Sequence, residues 1–216
     1  MITKETIRIK VKSLYIDLTA SLRAKKIINK DFTIISNNCW AGFIYQSYKI
    51  KYNTPTIGLF FMAEDYILFL KDIKRWLRTP IIFIEPQSSK YKDHFKEWKK
   101  FGEYPIGKFV DSDIEIHFLH YKSDLEAIEA WNRRVDRINW NRILYKFNDQ
   151  NLCDYRHIEK FSKLPYKNKV CFTAKKYDLP NITYIKCQNR SQGVSASYEP
   201  VGASKNLNIN KLINRL

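Results

Sequence analysis

The chain has no window of eighteen consecutive apolar residues, and its N-terminus has no apolar core followed by a small-residue cleavage site. The first absence removes a membrane-spanning helix and the second a secretory leader, so a cytoplasmic protein is expected. The four cysteines, Cys39, Cys153, Cys171 and Cys187, are far apart. They lack the paired spacing of zinc sites, which predicts free thiols and no structural metal. Glycine is scarce, six in 216 residues, and neither Gly-x-Gly-x-x-Gly nor a P-loop occurs. Dinucleotide and NTP sites of those forms are unsupported, and no cofactor is indicated. No internal repeat is present.

Acidic residues are also few: 22 against 38 lysines and arginines leave a net charge of +16. That balance calls for a polyanionic partner, an acidic surface or a lysine-rich background composition. The cations are scattered, with clusters in the N-terminal segment through Lys30 and between Lys160 and Lys176. Zinc-finger spacing, Arg/Gly-rich runs, an aromatic ribonucleoprotein motif and a helix-turn-helix pattern are all missing, so a nucleic-acid partner is not expected.

Apolar residues make up 44% of the chain, ample for a sizeable core. Strands are predicted at Phe32–Ile35, Thr56–Phe61, Ile81–Ile84, Ile114–His120, Ile143–Phe147 and Val170–Thr173, with a weaker one at Thr183–Cys187. Helices are predicted between them. One runs from Met62 to Leu77. Another opens at a capping box of Ser123 and Glu126 and buries Leu125, Ile128, Trp131, Val135 and Ile138, and a third covers residues 154–164. This alternation predicts a three-layer α/β/α domain over residues 31–190, with a mostly parallel central sheet of about six strands. Residues 1–30 form a basic segment in which Ile7, Val11, Leu14, Leu18 and Leu22 fall at helical spacing, with Arg8, Lys12 and Lys26 off the stripe. It is either a helix docked on the domain by that stripe or a peripheral anchor on an anionic bilayer; docking is the expectation. Residues 191–216 give a mobile Gly/Ser-rich segment and a short C-terminal helix.

The corner Ser36-Asn37-Asn38-Cys39-Trp40 concentrates helix-capping residues and a thiol where a strand hands over to a helix. A helix beginning at Cys39 aims free N–H groups and its positive dipole end at the sulfur, which favours thiolate. The alternative is a capped corner with a buried cysteine. In a parallel sheet the C-terminal strand ends share one edge, which would gather Ser36 to Cys39, Glu64 and Asp65, Glu85, His120, Asn148 and Asp149, and Thr173 and Lys175. A catalytic set of Cys39 as nucleophile, His120 as acid or base and Asp149, or else Glu64, as its orienting group follows. Ser36, Asn37, Asn38, Trp40, Glu64, Asp65 and Lys175 are then candidates for substrate binding. His117 alternates to the opposite face from His120 and reads as a core histidine, whereas His94 and His157 read as surface residues.

The strings FTIISNNCWAG, KYNTPTIGLFFMAEDYILFL, YPIGKFVDSDIEIHFLHYKS, WNRRVDRINW and LPYKNKVCFTAK, spanning residues 30–177, together resemble a bacterial family of unknown function described as exopolysaccharide biosynthesis proteins. Its members are associated with capsule and lipopolysaccharide gene clusters. The resemblance implies a pathway and carries no catalytic residue set. It identifies no reaction, but transfer to or from a glycan is the chemistry such a pathway needs most, so the expectation is a transferase, acyl or glycosyl, acting on a sugar or sugar-phosphate intermediate, with a sugar-containing substrate or acidic glycan as partner. A peripheral place at the inner membrane face is the accompanying expectation. The alternative is a non-catalytic basic adaptor for acidic glycan, anionic lipid or nucleic acid.

Overall fold

In the computed structural model, residues 4–187, 193–196, 198–203 and 207–216 are described. Helix α1 (Lys4–Ala24) leads into strand β1 (Thr33–Ser36) and helix α2 (Trp40–Ser47). After an extended strap over residues 57–61 come α3 (Ala63–Lys71), α4 (Ile73–Trp76), β2 (Ile81–Ile84), β3 (Ile106–Phe109) and β4 (Glu115–His117). Helix α5 (Asp124–Val135), β5 (Ile143–Asn148), α6 (Tyr155–Lys163), β6 (Lys169–Thr173), β7 (Ile182–Tyr184) and α7 (Ile209–Asn214) complete the order. No helix among the described residues is long and apolar enough to cross a membrane.

The mixed α/β expectation holds, but the strands divide into two sheets. β1, β5, β6 and β7 form a four-stranded parallel sheet in that order, whereas β2, β3 and β4 form a separate antiparallel sheet. The expected strand over residues 56–61 joins neither. The strap runs between the sheets, with the Phe61 N–H donating to the Asn37 carbonyl at 3.0 Å and an isolated bridge pairing Phe60 with His117. β3 was not anticipated from the sequence, because Gly107 and Lys108 interrupt its apolar run. The helix expected over residues 62–77 breaks at Asp72, whose φ of −143° and ψ of 55° leave the helical region.

Alternation along the parallel strands sends residues to two cores. Ile35, Ile143, Tyr145, Phe147 and Cys171 face a cluster with α3, α5 and α6, and Ile34, Leu144, Val170 and Phe172 face a cluster with α2 and α7. A third apolar group joins Phe60, Met62, Phe95, Tyr104 and Ile106 around the turns at residues 91–104. At the start of α5 the Ser123 hydroxyl accepts the Glu126 N–H at 3.2 Å, while the Glu126 carboxylate accepts from Lys122, one residue before the expected box partner. Leu125 is exposed rather than part of the buried stripe.

Two terminal expectations change. Helix α1 docks by the opposite face from the predicted stripe: Ile16, Ala20 and Arg23 are buried, while Ile7, Val11, Leu14, Leu18 and Leu22 are all more than half exposed. Arg23 fixes that docking through a hydrogen bond to the Ser47 carbonyl of α2 at 3.1 Å, while a second one, to the Ile16 carbonyl at 2.5 Å, holds its side chain along α1. The side chains of Arg8 and Lys12 lie outside the described residues. In the segment expected to be mobile, Val194 is fully buried where the chain is described, and the short C-terminal helix forms as α7, with Ile209 and Ile213 fully buried in the same core as α2 and the parallel sheet. Residues 188–192, 197 and 204–206, which include part of that segment, lie outside the described residues.

Candidate functional site

Beneath the C-terminal edge of the parallel sheet lies a buried polar knot. Lys146 is one of the inward residues of β5 and is wholly buried, so its ammonium must be neutralised inside the protein. Its partner is Glu199, with Nζ to Oε1 at 2.5 Å, and the side-chain oxygens of Asn38 and Asn37 accept from it at 2.8 and 3.4 Å. Asn148 donates to the Glu199 carboxylate at 2.9 Å and to the Val194 carbonyl at 2.8 Å, and accepts from Asn37 at 2.7 Å. Burial lowers the Lys146 pKa, opposed by Glu199. Asp149 accepts the N–H groups of Ala174 and Val194 at 2.6 and 2.7 Å. Gly193 has φ +75° and lies so close that a Cβ there would sit 2.2 Å from the Asp149 carbonyl oxygen. The knot therefore straps residues 193–196 and 198–200 across the strand ends.

That strap walls a cavity of about 590 Å³. Its lining combines the aromatic group of Phe60, Phe95 and Trp98, with His94, and the amides of Asn38, Gln150 and Asn151, together with Cys39, Leu119 and Ala196. Phe60, Phe95 and Trp98 also pack on one another, with ring centroids 5.5–6.1 Å apart. Asn151 is fixed by donating to the Phe61 carbonyl at 3.0 Å. Beyond Cys39 a second cavity of about 340 Å³ is lined by Gln46, Tyr52, Gly58 and His120, among others. Cys39 belongs to both walls and stands between the two spaces. His120 reaches the second one because its N–H donates to the Gly58 carbonyl at 2.9 Å, while the Cys39 thiol lies 3.9 Å from the neighbouring Leu59 carbonyl oxygen.

Of the expected catalytic set, Cys39 and His120 share a cavity, although His120 follows an antiparallel strand. Asp149 does not orient the histidine, because its carboxylate is engaged by the backbone of β6's exit and of the C-terminal strap. The expected activation of the thiol is reversed. Burial and the Glu199 carboxylate, against the weaker pull of Lys146, push Cys39 up to about 11. Cys39 holds the N-cap position of α2 but its sulfur accepts no N–H of the helix, and the Trp40 N–H goes to the Asn38 side chain at 3.1 Å. Burial, aided by Lys100, lowers the pKa of His120, which favours a neutral imidazole able to accept a proton.

Among the expected binding residues, Asn38 lines the larger cavity, whereas Ser36, Asn37 and Trp40 are buried below it. Trp40 packs its ring under Lys146 and donates its indole N–H to the Pro200 carbonyl at 2.8 Å. Glu64, Asp65 and Lys175 do not line it, because the single parallel edge that would gather them does not form. Glu64 pairs with Lys160 and His157 at 3.1 and 3.0 Å, and His157 also caps α6 with Asp154. Asp65 is wholly buried, bound by the Lys90 ammonium at 2.6 Å and the Glu115 N–H at 3.0 Å. Burial still lifts its carboxyl to about 6. Lys175 is exposed. His117 is a core histidine, stacked on Phe60 at 4.6 Å, and burial with the nearby Lys90 charge drives it down to about 3.

The sequence expectations missed Lys146, Glu199 and the aromatic wall. A lysine inside the run Ile-Leu-Tyr-Lys-Phe-Asn is a detectable signal of a buried ion pair. The wall comes from a charged, aromatic stretch with no periodicity. Asp111-Ser112-Asp113 has the Asp-x-Asp spacing of metal–sugar-nucleotide sites, but it makes the β3–β4 turn, where Asp111 has φ +55° and Asp113 pairs with Lys108 at 3.0 Å. No group of three or more His, Cys, Asp or Glu among the described residues is placed to hold a metal ion.

A family model described as Domain of unknown function (DUF1919) matches residues 6–214. An uncharacterized protein of Haemophilus influenzae is 31% identical over 176 residues, covering 81% of this chain and 78% of that protein.

Proposed function

We propose, for a chain that belongs to the DUF1919 family of unknown function, that it is a transferase of surface-polysaccharide assembly whose larger cavity seats the sugar portion of a sugar or sugar-phosphate intermediate. The observation that carries this reading is the mixed aromatic and amide lining of that cavity. A pyranose offers an apolar C–H face and a rim of hydroxyls. Phe60, Phe95 and Trp98 supply the apolar platform, and Asn38, Gln150 and Asn151 supply both donors and acceptors for the rim. A volume of about 590 Å³ falls in the roughly 300–1,000 Å³ range of small-molecule sites. No lysine or arginine is among its described lining residues, which favours a neutral ring over an acidic one in that space. The pathway comes from the resemblance of residues 30–177 to proteins of capsule and lipopolysaccharide clusters.

Cys39 and His120 are the reactive groups of this reading. A thiol held near 11 is no standing thiolate at neutral pH. Group transfer through it needs a base to take its proton as the substrate arrives, and a neutral His120 across the second cavity suits that task. The test is ligand-observed NMR with neutral sugars and sugar nucleotides. Trp98→Ala is expected to weaken sugar binding about tenfold, the loss of one well-buried aromatic contact. Cys39→Ala is expected to retain binding and lose transfer. Sugar binding unaffected by Trp98→Ala, or lost only when surface lysines are neutralised, would overturn the reading in favour of a basic adaptor.

A further inference from the structure

Helix α1 has two apolar faces, and only one is used. Its inner face docks through Ile16, Ala20 and Arg23. On the far side, Ile7, Val11, Leu14, Leu18 and Leu22 recur every three or four residues and are 52%, 62%, 61%, 74% and 63% exposed, with Tyr15 beside them at 58%. At roughly 1.5 Å per residue this stripe runs about 23 Å along the helix. Exposed apolar residues scattered singly need no explanation, but six on one helix face form a continuous patch.

We infer that this outer face of α1 lies on an anionic lipid surface, its apolar stripe entering the headgroup boundary. Charge decides between lipid and protein. Lys10 is carried by the helix, Lys25 and Lys26 follow its C-terminal end, and all three are exposed. Lys49, at the start of the neighbouring connection, adds a further cation beside Ser21. Asp17 is the one acidic side chain among those described in the helix. A second copy bringing the same cations and another +16 would be repelled, whereas anionic headgroups complement them. A strip about 23 Å by 10 Å is also far less than the ~800 Å² that each partner contributes to a stable protein interface. Apolar insertion and nearby cations together are what reversible interfacial attachment requires. Tyr15, with an apolar ring and polar tip, fits the same boundary.

The experiment is co-sedimentation of the full chain with pure phosphatidylcholine vesicles and with vesicles containing phosphatidylglycerol, alongside sedimentation velocity without lipid. The wild type is expected to pellet with the anionic vesicles and to dissociate at high salt. Neutralising Lys10, Lys25 and Lys26 to glutamine is expected to weaken partitioning about fivefold per lysine. Leu14→Glu with Leu18→Glu, both at exposed positions and so compatible with folding as checked by circular dichroism, is expected to abolish it. Equal binding to neutral and anionic vesicles, or binding unchanged by the leucine variants, overturns the inference. So does a lipid-independent dimer that the leucine variants dissociate, which would assign the stripe to a second copy.

Discussion

Glu199→Gln tests the knot that holds the cavity wall in place. In the wild type both ends of the Lys146–Glu199 pair are buried to 1% exposure or less, at 2.5 Å. Replacing the carboxylate by an amide leaves the ammonium with neutral acceptors alone, the glutamine oxygen and the Asn38 and Asn37 oxygens at 2.8 and 3.4 Å. Breaking a buried pair from one side costs about 3–5 kcal/mol, and loss of the lysine proton relieves part of it. Lys146→Met costs a similar amount, because Glu199 keeps the Asn38 and Asn148 amides but no cation. The double variant Lys146→Met/Glu199→Gln removes both charges together. It leaves the side-chain oxygens of Asn37 and Asn38 short of the donor that Lys146 supplied, a residual deficit of about 2–4 kcal/mol. The two single costs sum to about 6–10 kcal/mol, so the coupling is at least about 2 kcal/mol. Urea unfolding followed by tryptophan fluorescence measures all three, with Trp40 reporting 5.9 Å from the ammonium. Single losses below about 1 kcal/mol, or strictly additive ones, would refute a buried and mutually dependent pair.

Gly193→Ala should destabilise by about 1–3 kcal/mol, since the site combines positive φ with a carbonyl 2.2 Å from the new Cβ; thermal melts measure the loss, and hydrogen exchange should quicken at Val194. His117 is held near 3 when folded and takes a proton near 6.5 when unfolded, so the unfolded state binds more protons between those values and stability falls as pH drops through that window. Asp65, lifted to about 6, acts in the opposite sense, gaining stability on acidification between about 6 and 4, so the comparison must be with His117→Phe, which shares that term. At about pH 4.5 the wild type should have lost about 2.7 kcal/mol more than the variant, as read by urea titration, and equal acid limbs would contradict a buried neutral imidazole. Alkylation of Cys39 should be slow at neutral pH and rise toward about 11, and a plateau near neutrality would restore the activated thiolate.

The local elements were legible because their signals are local. β1, β5 and β6 are short apolar runs, and α5 and α6 carry side-chain caps at Ser123 and Asp154. Pairing partners are a long-range property, and Thr56–Phe61 has the composition of a strand although it ends as a strap between sheets. The corner at Cys39 was correctly located, yet the sign of its electrostatics was not. The dipole of the eight-residue helix α2 is outweighed by burial and by Glu199, which arrives from 160 positions further along the chain. The stripe on α1 was visible as periodicity, which shows that a face is apolar but not which way it is turned. The aromatic cavity wall, from an aperiodic stretch, left no pattern to read.

The most direct test of the central proposal is a crystal structure of the protein soaked with neutral sugars and sugar nucleotides. A sugar ring stacked on Trp98 or Phe95, with its hydroxyls on Asn38, Gln150 or Asn151 and its reacting end toward Cys39, is the expected result. A cavity that stays empty at saturating ligand, or a ligand bound elsewhere while Trp98→Ala leaves its affinity intact, would contradict it.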